Sequence, residues 1–261
     1  MTHKFAPLRA TLPAIAFLSF LAVGRAQEKP QDQFLTTHAF HKKVKTTLAC
    51  QYLLFLPRDY AAKRTERWPL ILFLHGAGER GTNVWRADIH GPNKYIAAHP
   101  DFPFILLTPL CPSNQVWSGE ILSGLLDEAV KKYSVDTNRV YLTGLSLGGF
   151  GVWEMALAWP ERFAAVIPIA GGGNDLPILL AGDGYASREN VEALKSLAFW
   201  AFHGAKDTVV APDESERMIA GLKRLGVAEV KITIYPDATH NSWERTYNNP
   251  EVYDWLLQHR R

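Results

Sequence analysis

Short, continuous apolar runs alternate along the chain with segments of helical spacing. Pro69 to Leu74 and Phe102 to Thr108 are unbroken apolar stretches of strand length, the pattern of strands buried on both faces. Leu48 to Leu56, Arg139 to Thr143, Phe163 to Ala170, Leu197 to His203 and Val230 to Tyr235 read as further strands. Leu122 to Tyr133 carries Leu125, Leu126, Ala129 and Val130 on one helical face. Phe150 to Trp159, Asp213 to Leu225 with Gly226 as its stop, and Pro250 to Gln258 are predicted helices. Strands alternating with helices imply a mostly parallel sheet covered on both faces, an α/β fold. Residues 171–196 are glycine-rich, then polar.

The first 26 residues are of different material. Lys4 and Arg9 precede an apolar run from Leu12 to Val23, which ends Gly24-Arg25-Ala26. This is the pattern of a secretory signal peptide cut after Ala26, and the run is short of the ~20 apolar residues a membrane span needs. The expected organisation is therefore a signal peptide over 1–26, an irregular segment over 27–47 and one catalytic domain over 48–261. Export places the protein outside the cytoplasm, secreted or periplasmic, with no stable membrane insertion once the leader is removed.

Composition agrees with one large core: 261 residues, 47% hydrophobic and 21% charged. Three of the 28 basic residues lie in the leader, so the remainder carries 25 against 26 acidic residues. Nothing there suits nucleic acid or an anionic surface. The two cysteines, Cys50 and Cys111, can pair in an oxidising compartment or stand as small core residues. No Cys or His cluster has metal-binding spacing, and no cofactor or metal is expected.

The run Tyr141 to Phe150 contains Gly144-Leu-Ser146-Leu-Gly148 between a strand and a helix, the context a nucleophile elbow requires. A serine hydroxyl needs a base, usually a histidine held by a carboxylate. His240 follows the strand ending at Tyr235, and Asp207 follows the strand ending near His203. The remaining histidines precede the elbow, end a strand as His203 does, or lie at the terminus. Asp175, Asp183, Asp213 and Asp237 compete for the acid role. Asp213 opens a helix and Asp237 shares the loop of His240. The order Ser146, Asp207, His240 is that of α/β-hydrolases. Oxyanion donors are expected from the backbone of Leu147 and from the glycine-rich loop His75 to Gly81, chiefly Ala77, with Gly78 second. That loop also spells Gly-x-Gly-x-x-Gly, but Thr82 to Pro92 lacks the helical stripe a dinucleotide site needs.

Four motifs, His75-Gly-Ala-Gly-Glu-Arg-Gly81, Gly144-Leu-Ser-Leu-Gly-Gly-Phe150, Phe202-His-Gly-Ala-Lys-Asp207 and His240-Asn-Ser-Trp243, resemble the secreted esterase branch of the α/β-hydrolases. This branch includes polyhydroxybutyrate depolymerases, feruloyl and acetyl-xylan esterases and proteins described as predicted peptidases. The resemblance runs through nearly all of residues 48–258. It implies an α/β-hydrolase fold without a large lid, Ser146, Asp207 and His240 as nucleophile, acid and base, and Ala77 and Leu147 as oxyanion donors. Leu147 stands where many relatives carry Met or Gln, and only its N–H is needed. The substrate implied is a small or polysaccharide-linked acyl, acetyl or feruloyl ester. Trp117 and Trp243 are candidates for aromatic walls around such a group or for packing residues, and Glu79 and Arg80 are expected as loop-stabilising residues. A serine peptidase of prolyl-oligopeptidase-like type and a catalytically inactive binding protein are the alternatives.

Overall fold

The computed structural model describes residues 38–63, 65–181 and 187–261. The signal segment over 1–26, most of 27–47 and Asp183 lie outside them. The chain divides into residues 1–45 and 46–261. Residues 38–45 are exposed and outside regular secondary structure. The sheet, the core and the candidate site all lie in 46–261.

Strands β1 (Tyr52–Phe55), β2 (Trp68–Leu74), β3 (Ile105–Pro109), β4 (Val135–Leu145), β5 (Ala165–Ile169), β6 (Ala198–Gly204) and β7 (Val230–Tyr235) form one sheet in the order β1-β3-β2-β4-β5-β6-β7. Only β1 runs antiparallel, against β3. The helices are α1 (Pro92–Ala98), α2 (Gly119–Lys132), α3 (Leu147–Ala158), α4 (Leu176–Leu179), α5 (Arg188–Ser196), α6 (Asp213–Leu225), α7 (Ser242–Tyr247) and α8 (Pro250–Leu257). This is the α/β-hydrolase fold expected from the sequence.

The unbroken apolar run of β2 reflects its place at the centre, between β3 and β4. Leu70, Leu72 and Leu74 enter one core layer with residues of α2, α3 and α6. Ile71 and Phe73 enter the opposite layer with Tyr253, Trp255 and Leu256 of α8. Burying both faces explains why no polar residue alternates along this strand. β4 begins at Val135, earlier than its apolar part predicts. Its polar stretch Asp136 to Arg139 spans a register shift against β2 between Trp68 and Leu70, where Asp136 Oδ1 accepts the Asn138 N–H at 3.1 Å.

The strand order reverses between β2 and β4: the chain moves outward from β2 to β3, then returns to β4 on the other side. A crevice opens beyond the carboxyl ends of strands at such a point. The loop after β2 and the turn after β4 both lead into it.

Candidate active site

Ser146 joins β4 directly to α3 with φ +51° and ψ −116°, a left-handed conformation rare for a residue with a side chain. The turn is possible because its flanking positions are glycines. A Cβ on Gly144 would stand 2.6 Å from the Gly148 carbonyl oxygen, and one on Gly148 would collide with the Leu74 carbonyl. The Ser146 N–H is taken by Ile169 O of β5 at 2.9 Å, which fixes the turn to the sheet and leaves the half-buried hydroxyl over the crevice.

His240, on the loop between β7 and α7, has Nε2 2.9 Å from Ser146 Oγ and Nδ1 2.7 Å from Asp207 Oδ2. Facing an oxygen that only accepts, Nδ1 carries the hydrogen, so Nε2 is the atom that receives the serine proton. Asp207 follows β6, and its side chain is fully buried. Its Oδ1 accepts the N–H groups of Val209 at 2.9 Å and Val210 at 3.0 Å. Burial alone would raise its pKa, but the bonds from His240, Val210 and Val209 outweigh it and hold the carboxyl below its ordinary value. The structure thus brings Ser146, Asp207 and His240 together. Of the competing carboxylates, Asp237 pairs with Arg245 at 3.1 Å and Asp175 with Arg217 at 2.7 Å. Asp213 is the first residue of α6.

Ala77 and Leu147 are each the first residue of a helix, a 3-10 turn over Ala77–Glu79 and α3, so their N–H groups stand outside the helical ladders. The loop carrying Ala77 is held from several sides. His75 is wholly buried; its Nδ1 donates to Gly76 O at 2.7 Å and its Nε2 accepts the Cys111 N–H at 3.0 Å. Those two bonds describe a neutral ring, in keeping with burial pushing its pKa down. Arg80 donates to Ala77 O at 3.0 Å and Gln115 O at 2.9 Å, and Arg86 donates to Gly78 O. Arg80 therefore steadies the loop, and its nearest acceptors belong to the protein. Glu79 is buried, 4.0 Å from His75 Nδ1 and 3.7 Å from His90 Nε2.

Of the two roles open to Trp117, packing is the one its surroundings match. It is only 6% exposed, its Nε1 donates to His75 O at 3.2 Å, and its ring packs on the His75 imidazole at 4.8 Å. It supports the loop from within instead of offering a wall. Trp243 is half-buried and meets the His240 ring edge-on at 5.1 Å, which leaves it beside the base. Cys50 and Cys111 are unpaired; burial pushes both thiols up.

His203, set aside as a strand-end residue in sequence, is fully buried with Nε2 3.1 Å from the same Asp207 Oδ2 that His240 contacts. The available signal was its spacing, four residues before Asp207 at the end of an apolar strand.

The Prolyl oligopeptidase family matches residues 181–260, the part that carries Asp207 and His240. Poly(3-hydroxyalkanoate) depolymerase C of Paucimonas lemoignei is 46% identical over 117 residues, covering 40% of this chain and 28% of that protein. The crystal structure of a thermostable esterase superposes with a TM-score of 0.64 at 31% identity, covering 80% of this chain and 59% of that one. A ferulic acid esterase superposes with a TM-score of 0.58 at 19% identity over 78% of this chain and 89% of that one, a likeness of fold. The chain thus spans less than two thirds of the depolymerase and of the thermostable esterase. By its sheet order, its strained turn at Ser146 and these likenesses, the chain has the α/β-hydrolase fold and is similar to esterases that share it.

Proposed function

We propose that the protein is an exported serine carboxylic-ester hydrolase. The observation that carries this reading is the continuous hydrogen-bonded line Ser146 Oγ, His240 Nε2, His240 Nδ1, Asp207 Oδ2, at 2.9 and 2.7 Å. His240 takes the Ser146 proton as the oxygen attacks the ester carbonyl. The N–H groups of Ala77 and Leu147 stabilise the oxyanion. His240 then protonates the leaving alcohol, and an acyl-enzyme remains on Ser146. In the second half His240 takes a proton from water as the water oxygen bonds to the acyl carbon. The bond from that carbon to Ser146 Oγ then breaks, Oγ regains its proton from His240 and the acid leaves, while Asp207 holds the imidazole tautomer.

The substrate is an acyl, acetyl or feruloyl ester, free or carbohydrate-linked. Large apolar side chains left exposed on the segments after β2, β3, β4 and β6, namely Trp85, Val116, Phe150 and Val209, support an apolar acyl part. The depolymerase relative adds an aliphatic polyester to the substrates worth trying. Export rests on the leader pattern of residues 1–26.

A peptidase reading draws on the match over 181–260, which spans the acid and base but neither Ser146 nor the loop His75 to Gly81. Matched ester and amide substrates separate the two. Ester turnover that falls about five orders of magnitude in Ser146→Ala, with negligible amide cleavage, is the expected result. Amide cleavage at comparable kcat/KM assigns a peptidase, and silence on the whole panel points to a binding protein or to a specificity outside the panel.

A further inference from the structure

We propose that His203 is a positioning residue for the acid of this site, the fourth member of one hydrogen-bonded unit with Asp207, His240 and Ser146. The proposal rests on the hydrolase reading above.

His203 lies on β6 with no exposed surface. Its Nε2 stands 3.1 Å from Asp207 Oδ2 and 3.0 Å from Val210 O. An ionised carboxylate and a carbonyl have no hydrogen to give, so Nε2 carries one and the imidazole donates. On the far side of the ring, Nδ1 is 2.8 Å from Ser215 Oγ, and Ser215 Oγ is 2.9 Å from Gly171 O. Gly171 lies just past β5, the strand whose Ile169 carbonyl holds the Ser146 N–H. The line of contacts therefore runs from Gly171 through Ser215, His203, Asp207 and His240 to Ser146, then back through β5 to its start.

This places four N–H groups on one carboxylate: Val209 and Val210 on Oδ1, His240 and His203 on Oδ2. A proton arriving on Asp207 would displace a donor, and rotation of the carboxylate would strain or break all four bonds. The acid is thereby kept ionised and aimed while His240 is charged, the stage at which its orientation matters most. A buried histidine serving packing alone needs partners for its nitrogens, but it has no reason to share the one oxygen the base uses.

The test compares His203→Leu, which removes the donor, with His203→Gln, whose amide N–H can replace it. Turnover is expressed per folded molecule, with near-ultraviolet circular dichroism giving the folded fraction. His203→Leu is expected to lose about 30-fold in kcat with KM little changed, and His203→Gln to recover most of that loss. The groups facing Asp207 are His240, His203 and the two backbone N–H groups. Removing one donor leaves the Asp207 carboxylate a stronger partner for the charged His240, so the acidic limb of kcat moves to higher pH in His203→Leu. Unchanged kcat and limb in folded His203→Leu, or no recovery in His203→Gln, overturns the proposal. Should His203→Leu not fold, Ser215→Ala decides: a loss of about 3-fold or more with the same limb movement supports it, and wild-type behaviour overturns it. A wild type without Ser146-dependent ester turnover overturns the hydrolase reading and this proposal with it.

Discussion

The indole Nε1 of Trp117 donates to the carbonyl oxygen of His75 at 3.2 Å, and the ring beneath it packs against the His75 imidazole. That bond ties the segment after β3 to the loop that carries Ala77. Gly151 of α3 completes the seat: a Cβ there would approach Trp117 Cδ1 to 2.9 Å. Trp117→Phe keeps the apolar ring and removes one buried donor. We expect a stability loss of about 1–2 kcal/mol and a roughly 10-fold lower kcat with KM little changed. Thermal unfolding and steady-state kinetics on one ester check this. A rise in KM confined to aromatic acyl groups, at full kcat, would instead make Trp117 a binding wall.

The contrast between Trp117 and Ser146 marks how far sequence alone reached. Ser146 was legible because a strained turn demands glycines at fixed offsets, and Gly144 and Gly148 stand there. The central strands were legible because double burial forbids polar residues in them. Trp117 was not, because whether an indole faces a ligand or a carbonyl depends on partners 42 residues away. α1 and α5 escaped for a related reason. In α5 only Leu194 is buried, so the segment lacks the apolar stripe that marks a helix. His203 escaped because its role depends on which oxygen it meets, and spacing does not encode that.

Gly148→Ala is expected to be far more costly than an ordinary helix substitution. Alanine favours helices, yet its Cβ would collide with the Leu74 carbonyl, backbone at the centre of the sheet. We predict a loss of at least about 3 kcal/mol, or failure to fold. Denaturant unfolding measures it, and a variant as stable as wild type would contradict the packing described.

Glu229 anchors the last helix. It accepts from Trp255 Nε1 at 2.8 Å, from His259 Nε2 at 2.9 Å and from Lys231 Nζ at 3.0 Å. Burial would raise its carboxyl, but the bonds from His259, Trp255 and Lys231 prevail and draw it down to about 2 from an ordinary 4.5. A depressed carboxyl stabilises the fold fully above the unfolded value, so its contribution fades as pH falls from 4.5 toward 2. The carboxylate is partly exposed, and after allowance for screening Glu229→Gln should cost about 1 kcal/mol near neutrality. The gap to wild type should close in that acidic window. A gap that is constant with pH would mean the charge is not what holds α8.

The unpaired cysteines make a simple redox prediction. Cys50 is half-buried before β1, and Cys111, just past β3, donates its thiol toward Gln115 O at 3.5 Å. Reductant should shift the midpoint of unfolding by less than about 2 °C, since no cross-link constrains the unfolded chain. Thiol titration of denatured, unreduced protein should find two free groups. A drop of about 10 °C on reduction would require a bridge.

The connection from β5 to β6 is the segment in which a lid would be sought. Its described residues supply α4, four residues long, and α5, largely polar, in place of a long apolar flap. Lipases that answer to an interface do so because an apolar lid must leave the site before substrate enters. Without that step, rate should depend on dissolved ester alone. We expect hydrolysis of a short-chain triglyceride to follow simple saturation through its solubility limit, with no jump where droplets form. A sharp increase at that limit would mean a segment of this connection closes over the crevice and opens on an apolar surface. The exposed Leu176 and Leu179 would then be the first side chains to replace, because they are the apolar residues of α4 that such a surface would meet.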